Sequence, residues 1–308
     1  MYHAEKSGTL QWTSLIAPTE ADLNQLQTTF NLSPKYRSYI RDGRERSRFD
    51  FDERLKMGLL IWRVAVTDQE QQSFQVVPVS FIITADQLVS VVSSEAQWVA
   101  EKLQELLTEK AAASQQKDSP MLTLLRLLWR INDYYVDQID LLNHQREKLA
   151  NYRKHPTNAQ ITALAELSDQ LVYLTTASDN NVVAIQQMQL SSRSDNATFA
   201  LEPKELDFLS DVEVETKQSQ QVTQDAADLV DRLSNTYNNL LNNNLNETMR
   251  FLTVWSLVLA VPPIISGFYG MNMHLPWAKG EWAWVTTLVL TAALIWGTLW
   301  IYHHYRSK

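Results

Sequence analysis

Two long apolar stretches close the chain. From Phe251 to Tyr269 the positions are mostly apolar, and no Asp, Glu, Lys or Arg occurs between Arg250 and Lys279. At helical rise this stretch spans about 28 Å, close to the hydrocarbon thickness of a bilayer. A second charge-free stretch, Trp282 to Tyr305, follows the break at Lys279-Gly280-Glu281. Their proximity predicts a membrane hairpin at the end of a mostly soluble chain.

Upstream the pattern is that of a soluble protein, and its period changes near residue 110. Leu10–Ala17 and Gly58–Val66 read as strands, and Val76–Val92 as two more divided near Ala85-Asp86. Thr19-Glu20-Ala21-Asp22 has the form of a capping box opening a helix through Phe30, and Ser93-Ser94-Glu95 opens another through Leu107. Ala111–Pro120 reads as a linker. Beyond it Leu122, Leu125, Leu128, Ile131, Tyr135, Ile139 and Leu142 recur at three and four, the helical period. A further helix is expected over Asn158–Leu190. A third starts after Pro203, with Val222, Ala226, Leu229, Leu233, Thr236 and Leu240 in near-heptad order. Past Pro203 no proline precedes Pro262 and no glycine precedes Gly267, so this helix is expected to run about 65 residues into the first apolar stretch. Pro262-Pro263 is expected to bend it.

One side of the first apolar stretch is not greasy. Asn246, Thr253, Ala260 and Gly267 stand seven apart, as do Met249, Ser256, Pro263 and Gly270. Seven-residue spacing keeps residues on nearly one helical face. Small residues there allow a close helix–helix contact. Equally, several copies around an axis would line a pore with this face. Spacing alone leaves both open. The Asn-rich approach, Asn235, Asn238, Asn239, Asn242, Asn243 and Asn244, is either a polar stalk face that avoids charge or an uncharged vestibule for hydrated ions.

Charge adds compartment and excludes some partners. The chain carries a net charge of −8, and the part from Asn246 onward is slightly basic, so the acid excess lies before it. A nucleic-acid partner, which needs a basic face, is not expected. There is no cysteine, hence no thiolate metal site, and the first dozen residues lack the apolar core of a cleavable signal peptide. Arg250 before the first stretch and His303, His304, Arg306 and Lys308 after the second place both ends on the cytoplasmic side by the positive-inside tendency. Gly8, Gly43 and Gly58 are isolated, so no phosphate-cradling loop is present, and no catalytic constellation stands out. An enzyme is not expected.

Tyr269-Gly270-Met271-Asn272 resembles the YGMN signature of the CorA family of divalent-cation channels, and it stands at the outer end of the first hairpin helix, as in that family. Asn246, Met249, Leu252-Thr253, the proline region, Gly267 and Pro276 extend the match. The resemblance implies an α+β cytoplasmic domain, a long stalk helix and two C-terminal membrane helices, assembled as a funnel-shaped homopentamer in the cell membrane. The expected segments are 1–117 for the α/β domain, 118–245 for the helical region and stalk, 246–271 and 282–302 for the spans, 272–281 for an external loop and 303–308 for a cytoplasmic tail.

The same resemblance implies roles. Gly270, Met271 and Asn272, with Tyr269, would form the selectivity filter. Asn246, Met249, Leu252, Thr253, Ser256, Ala260, Pro263 and Gly267 would line or gate the pore. Magnesium surrenders its water reluctantly, so a ring of Asn272 amide oxygens can accept hydrogen bonds from the ion's hydration shell without stripping it. Transport of Mg²⁺, with Co²⁺ and Ni²⁺ as further substrates, would be passive, and the membrane potential favours inward movement by roughly 4–5 kcal/mol per 100 mV for a divalent ion. Zinc transport with proton coupling, as in ZntB-like relatives, and a non-conducting membrane sensor are the alternatives. Where relatives commonly have an acid after the loop proline, this chain has Trp277. Regulatory metal in the family lies between cytoplasmic domains of adjacent subunits. Asp207, Asp211, Asp225 and Asp228 on the stalk, with Asp86 or Glu95 opposite, are the candidates, Asp211 foremost. No organic cofactor is expected.

Overall fold

The computed structural model describes residues 2–7, 10–68, 73–112, 118–150, 156–193, 200–271 and 282–306. Two compact units emerge: Met1–Asn151 with Thr157–Ser234, and Tyr152–Pro156 with Asn235–Lys308.

The first unit is built on a mixed six-stranded sheet with strands β1 (Tyr2–Ser7), β2 (Leu10–Ile16), β3 (Arg48–Asp52), β4 (Met57–Asp68), β5 (Ser73–Ile83) and β6 (Gln87–Val92). Their order is β1-β2-β6-β5-β4-β3, antiparallel except for the parallel pair β2–β6. Helices α1 (Glu20–Phe30), α2 (Pro34–Arg41), α3 (Gln97–Ala112), α4 (Pro120–Ala150) and α5 (Asn158–Arg193) belong to it, together with the part of α6 (Pro203–Tyr269) up to Ser234. The continuous apolar run of β4 has a simple cause. Leu60, Trp62, Val64 and Val66 join a core with Val99 and Leu103 of α3 and Leu124 and Leu128 of α4, whereas Leu59 and Ile61 pack with Leu26 of α1 and Tyr36 of α2. A strand covered on both faces has no reason to alternate.

Thr19 caps α1 as its sequence implies, accepting from the Asp22 N–H while Asp22 accepts from the Thr19 N–H. Three elements carry no periodicity to announce them. β1 pairs antiparallel with β2, from Tyr2 opposite Leu15 to Ser7 opposite Leu10. α2 has eight residues and buries only Tyr36, behind an N-cap at Ser33. β3 is a short polar edge strand held to β4. α3 begins at Gln97, two residues after the expected start.

Helix α6 runs from Pro203 to Tyr269, 67 residues, unbroken through Pro262 and Pro263. The expected bend at the pair is not accompanied by any break in the helix. The prolines leave the Val258 and Leu259 carbonyls without the N–H donors of an ordinary helix. The buried seam of α6 differs from the apolar series read in sequence. It includes Leu209, Val212, Thr216, Ser219, Thr223, Ala226, Val230 and Leu233, spaced by three and four. Its hydroxyls are buried because Thr216, Ser219 and Thr223 donate to the carbonyls of Val212, Glu215 and Ser219, one turn back. Leu229, by contrast, is exposed. The seam is packed by small polar residues, so a hydrophobicity pattern shifts the frame onto the neighbouring face.

The second unit holds the end of α6 and α7 (Ala283–Arg306). Each has a stretch long and apolar enough to cross a membrane.

Candidate functional site

In the last part of α6 the partly covered positions include Val254, Val258, Val261, Ile265 and Tyr269, of which Ile265 is buried. They form one stripe. At about 100° per residue its centre lies some 160° round the helix from Met249, Thr253, Ser256, Ala260, Pro263 and Gly267. In α7 Thr287, Thr291, Ile295, Thr298 and Tyr302 face one side as a corresponding stripe, all five partly covered. Two such stripes are what a helical hairpin leaves on its members. The small and polar face of α6 points the other way and stays open: Met249, Thr253, Ser256, Pro263 and Gly267 are all exposed, with Ala260 partly so.

The hydroxyls on this face are satisfied within the helix. Thr253 Oγ1 donates to the Met249 carbonyl at 2.8 Å and Ser256 Oγ to the Leu252 carbonyl at 2.8 Å. Each proton is held by backbone, and the oxygen lone pairs are left as acceptors. No ionisable side chain occurs on α6 beyond Arg250 except Tyr269. The result is a neutral face of acceptors and small apolar groups.

Tyr269 is the last helical residue, and its ring meets Phe268 edge-on. The Gly270 N–H closes the helix on the Ser266 carbonyl at 2.9 Å. A Cβ at Gly270 would stand 3.1 Å from that same carbonyl oxygen, closer than nearly all real Cβ contacts. Met271 is exposed. Asn272 and the loop through Glu281, with Pro276 and Trp277, lie outside the described residues. Asn246 and Leu252 are exposed near the start of the apolar stretch. On α7 Trp300 stacks on His304 at 5.6 Å, so that histidine sits against an aromatic group.

The acidic candidates are scattered. Asp86 accepts from Thr84 Oγ1 in the β5–β6 turn. Glu95 precedes α3, its carboxyl held below the ordinary range first by the Ser93 hydroxyl. Asp225 accepts from Gln221, and Asp207, Asp211 and Asp228 stand on α6 with their side chains at least partly exposed. Among the described residues no three His, Asp or Glu side chains come close enough to hold one metal ion.

Asp211 has surroundings that the sequence did not disclose. It lines a crevice of about 280 Å³ with Leu106, Arg126, Trp129, Arg130 and Phe208. Arg126 lies over the Phe208 ring at 5.3 Å and meets buried Asp118 at 3.1 Å. Arg130 reaches Glu109 at 2.5 Å and Glu105 at 4.0 Å. Two guanidiniums bordering one carboxylate do not suit a resident divalent cation, which wants several oxygen ligands and no fixed positive neighbours. Both arginines are on α4, over eighty positions from Asp211, and only the packing of α4 on α6 joins them. The four-residue spacing of Arg126 and Arg130 was the available sign of one basic helix face.

A family model described as CorA-like Mg²⁺ transporter protein matches residues 7–304. Among solved structures, the chain is similar to the complete CorA magnesium transporter from Methanocaldococcus jannaschii, with a TM-score of 0.77 and 19% identity over 97% of this chain and 92% of that one. It is also similar to the full-length CmaX protein, with a TM-score of 0.72 and 15% identity over 96% and 88% of the two chains. The cytoplasmic domain of ZntB from Vibrio parahaemolyticus gives a TM-score of 0.59 and 10% identity over 77% of this chain and 90% of that one. No curated protein matches by direct sequence comparison.

Proposed function

The chain belongs to the CorA-like Mg²⁺ transporter family, and from that premise we propose that it is a homopentameric channel for hydrated divalent cations, Mg²⁺ foremost. The observation that carries the reading is the open, uncharged face of α6 opposite its covered stripe. Around an axis this face becomes the wall of a conduit, with α7 outside it and towards lipid. Asn246 forms the cytoplasmic mouth, Met249 and Leu252 the narrow apolar part, and Thr253 and Ser256 rings of acceptors. Pro263 and Gly267 keep the wall clear of bulky groups. Tyr269, Gly270, Met271 and Asn272 complete the outer end, where the Asn272 amide selects the hydrate.

The chemistry suits the cargo. First-shell waters of a divalent cation are strong hydrogen-bond donors, and hydroxyls whose own protons are already bound can only accept. A carboxylate ring would hold the ion too firmly for conduction, which needs sites weak enough to leave. Both chain ends face the cytoplasm in this reading, and influx is driven by concentration and potential.

The test is uptake by liposomes containing the purified protein, across Mg²⁺, Co²⁺, Ni²⁺ and Zn²⁺, with and without a pH gradient. Saturable Mg²⁺ uptake independent of the gradient is expected, and Asn272→Ala should lose selective flux while still assembling. Zinc uptake that needs the gradient would instead favour a ZntB-like reading. That reading draws on the similarity to the ZntB cytoplasmic domain and on Trp277 standing where relatives place an acid. Unchanged behaviour of Asn272→Ala in a protein without flux would indicate a sensor.

A further inference from the structure

Asp211 is the foremost candidate for a regulatory divalent cation by resemblance to the family, and the crevice around it argues otherwise. Arg130 spans Glu109 and Glu105, and Lys102 reaches Glu105 at 2.8 Å. Arg126 is fixed between the Phe208 ring and Asp118, a carboxylate only 6% exposed. Trp129 lies 6.0 Å from the same ring and helps close the crevice. Among the described residues the acids around this corner are Glu101, Glu105, Glu109, Asp118, Asp133 and Asp211, and the cations are Lys102, Arg126 and Arg130. All stand on α3, α4, α6 or the approach to α4, within the first unit.

We infer that this corner carries its own cations: Arg130, supported by Arg126, neutralises the acids that would otherwise attract a divalent ion to Asp211. A guanidinium is charged at every physiological pH and does not dissociate from the chain. A bound metal comes and goes with its concentration. Replacing one by the other fixes this corner in its neutralised state and uncouples it from the cytoplasmic Mg²⁺ level. The inference rests on the transport reading only for its meaning as regulation; the chemistry of the corner is independent of whether ions pass.

The test uses the full-length protein in detergent, with Mg²⁺ as the probe and the thermal midpoint and protease protection of the cytoplasmic unit as readouts. Wild type and Asp211→Ala are expected to show the same small response to added Mg²⁺. Arg130→Gln leaves Glu109 without its partner and Asp211 beside Arg126 alone, while Lys102 still holds Glu105, and it should acquire a saturable Mg²⁺-dependent protection. Arg130→Lys, which keeps the charge, should not. Saturable protection in wild type that Asp211→Ala removes would overturn the inference, as would a folded Arg130→Gln with no gained response. If Arg130→Gln does not fold, the comparison of wild type with Asp211→Ala decides alone. Failure of liposome flux would remove the transport reading and leave this result standing, because protection is read without flux.

Discussion

Ser256 donates its hydroxyl proton to the Leu252 carbonyl oxygen at 2.8 Å, one turn back along its own helix. The bond fixes the direction of the hydroxyl and leaves its oxygen able only to accept. On a conducting face that is the polarity a hydrated cation requires. It also satisfies a polar group that would otherwise be costly in an apolar surrounding.

Ser256→Ala should therefore lower Mg²⁺ flux modestly, by about fivefold if one net hydrogen bond of about 1 kcal/mol to the passing hydrate is lost. Ser256→Leu should lower it much further by narrowing the wall. Liposome uptake measures both, and equal flux in all three proteins would remove Ser256 from the pathway.

Gly270→Ala places a methyl group 3.1 Å from the Ser266 carbonyl oxygen, the acceptor that closes α6. The helix end must shift by a few tenths of an ångström, and Met271, which the proposed channel places in its filter, shifts with it. Reduced flux is expected, with no change in the thermal midpoint of the first unit. Uptake and circular dichroism on the same preparation separate the two effects.

Asn181 is the hub of the packing between α5 and the sheet. Its Oδ1 accepts from Ser47 Oγ at 2.6 Å and from the Arg63 N–H at 3.0 Å, and its Nδ2 donates to the Arg63 carbonyl at 2.9 Å. The amide extends the β4 ladder past the end of β3. Asn181→Ala leaves these three partners unpaired and should cost about 2–3 kcal/mol. Denaturant unfolding of the full chain measures this, and a loss below about 0.5 kcal/mol would contradict the role assigned to the amide.

Asp133 titrates above its ordinary value of 3.8, first through burial and then through Asp137, with Arg130 opposing. Glu215 is raised too, by burial and by Asp133. A carboxyl that binds its proton more tightly in the folded state penalises folding when ionised. The penalty is present at neutral pH and fades as pH falls through the folded value and then the unfolded one. Asp133→Asn should raise the thermal midpoint slightly at pH 7, by an amount reduced by solvent screening, because the residue is largely exposed. The advantage should vanish in acid. A melting series across pH checks the sign.

Local physics makes much of this protein legible in its amino-acid order. An apolar run of bilayer length, a capping box at Thr19 and a helix with no interior proline or glycine ahead of its membrane part are each properties of neighbouring residues. They survive in any surroundings, and α6 and the apolar α7 follow from them. The Tyr269–Asn272 resemblance belongs with these, since it is a short string.

What tertiary structure decided is where elements meet. The seam of α6 runs through Thr216, Ser219 and Thr223 because hydroxyls tied to their own backbone pack as if apolar, which a hydrophobicity count does not see. β1, α2 and β3 are too short or too polar to form without a sheet or core to dock on. The Arg130–Glu109 contact and the crevice it shares with Asp211 depend on α3, α4 and α6 converging. Charge on a sequence has no neighbours until the chain folds, so whether an acid waits for a metal or already has its cation is settled only in three dimensions.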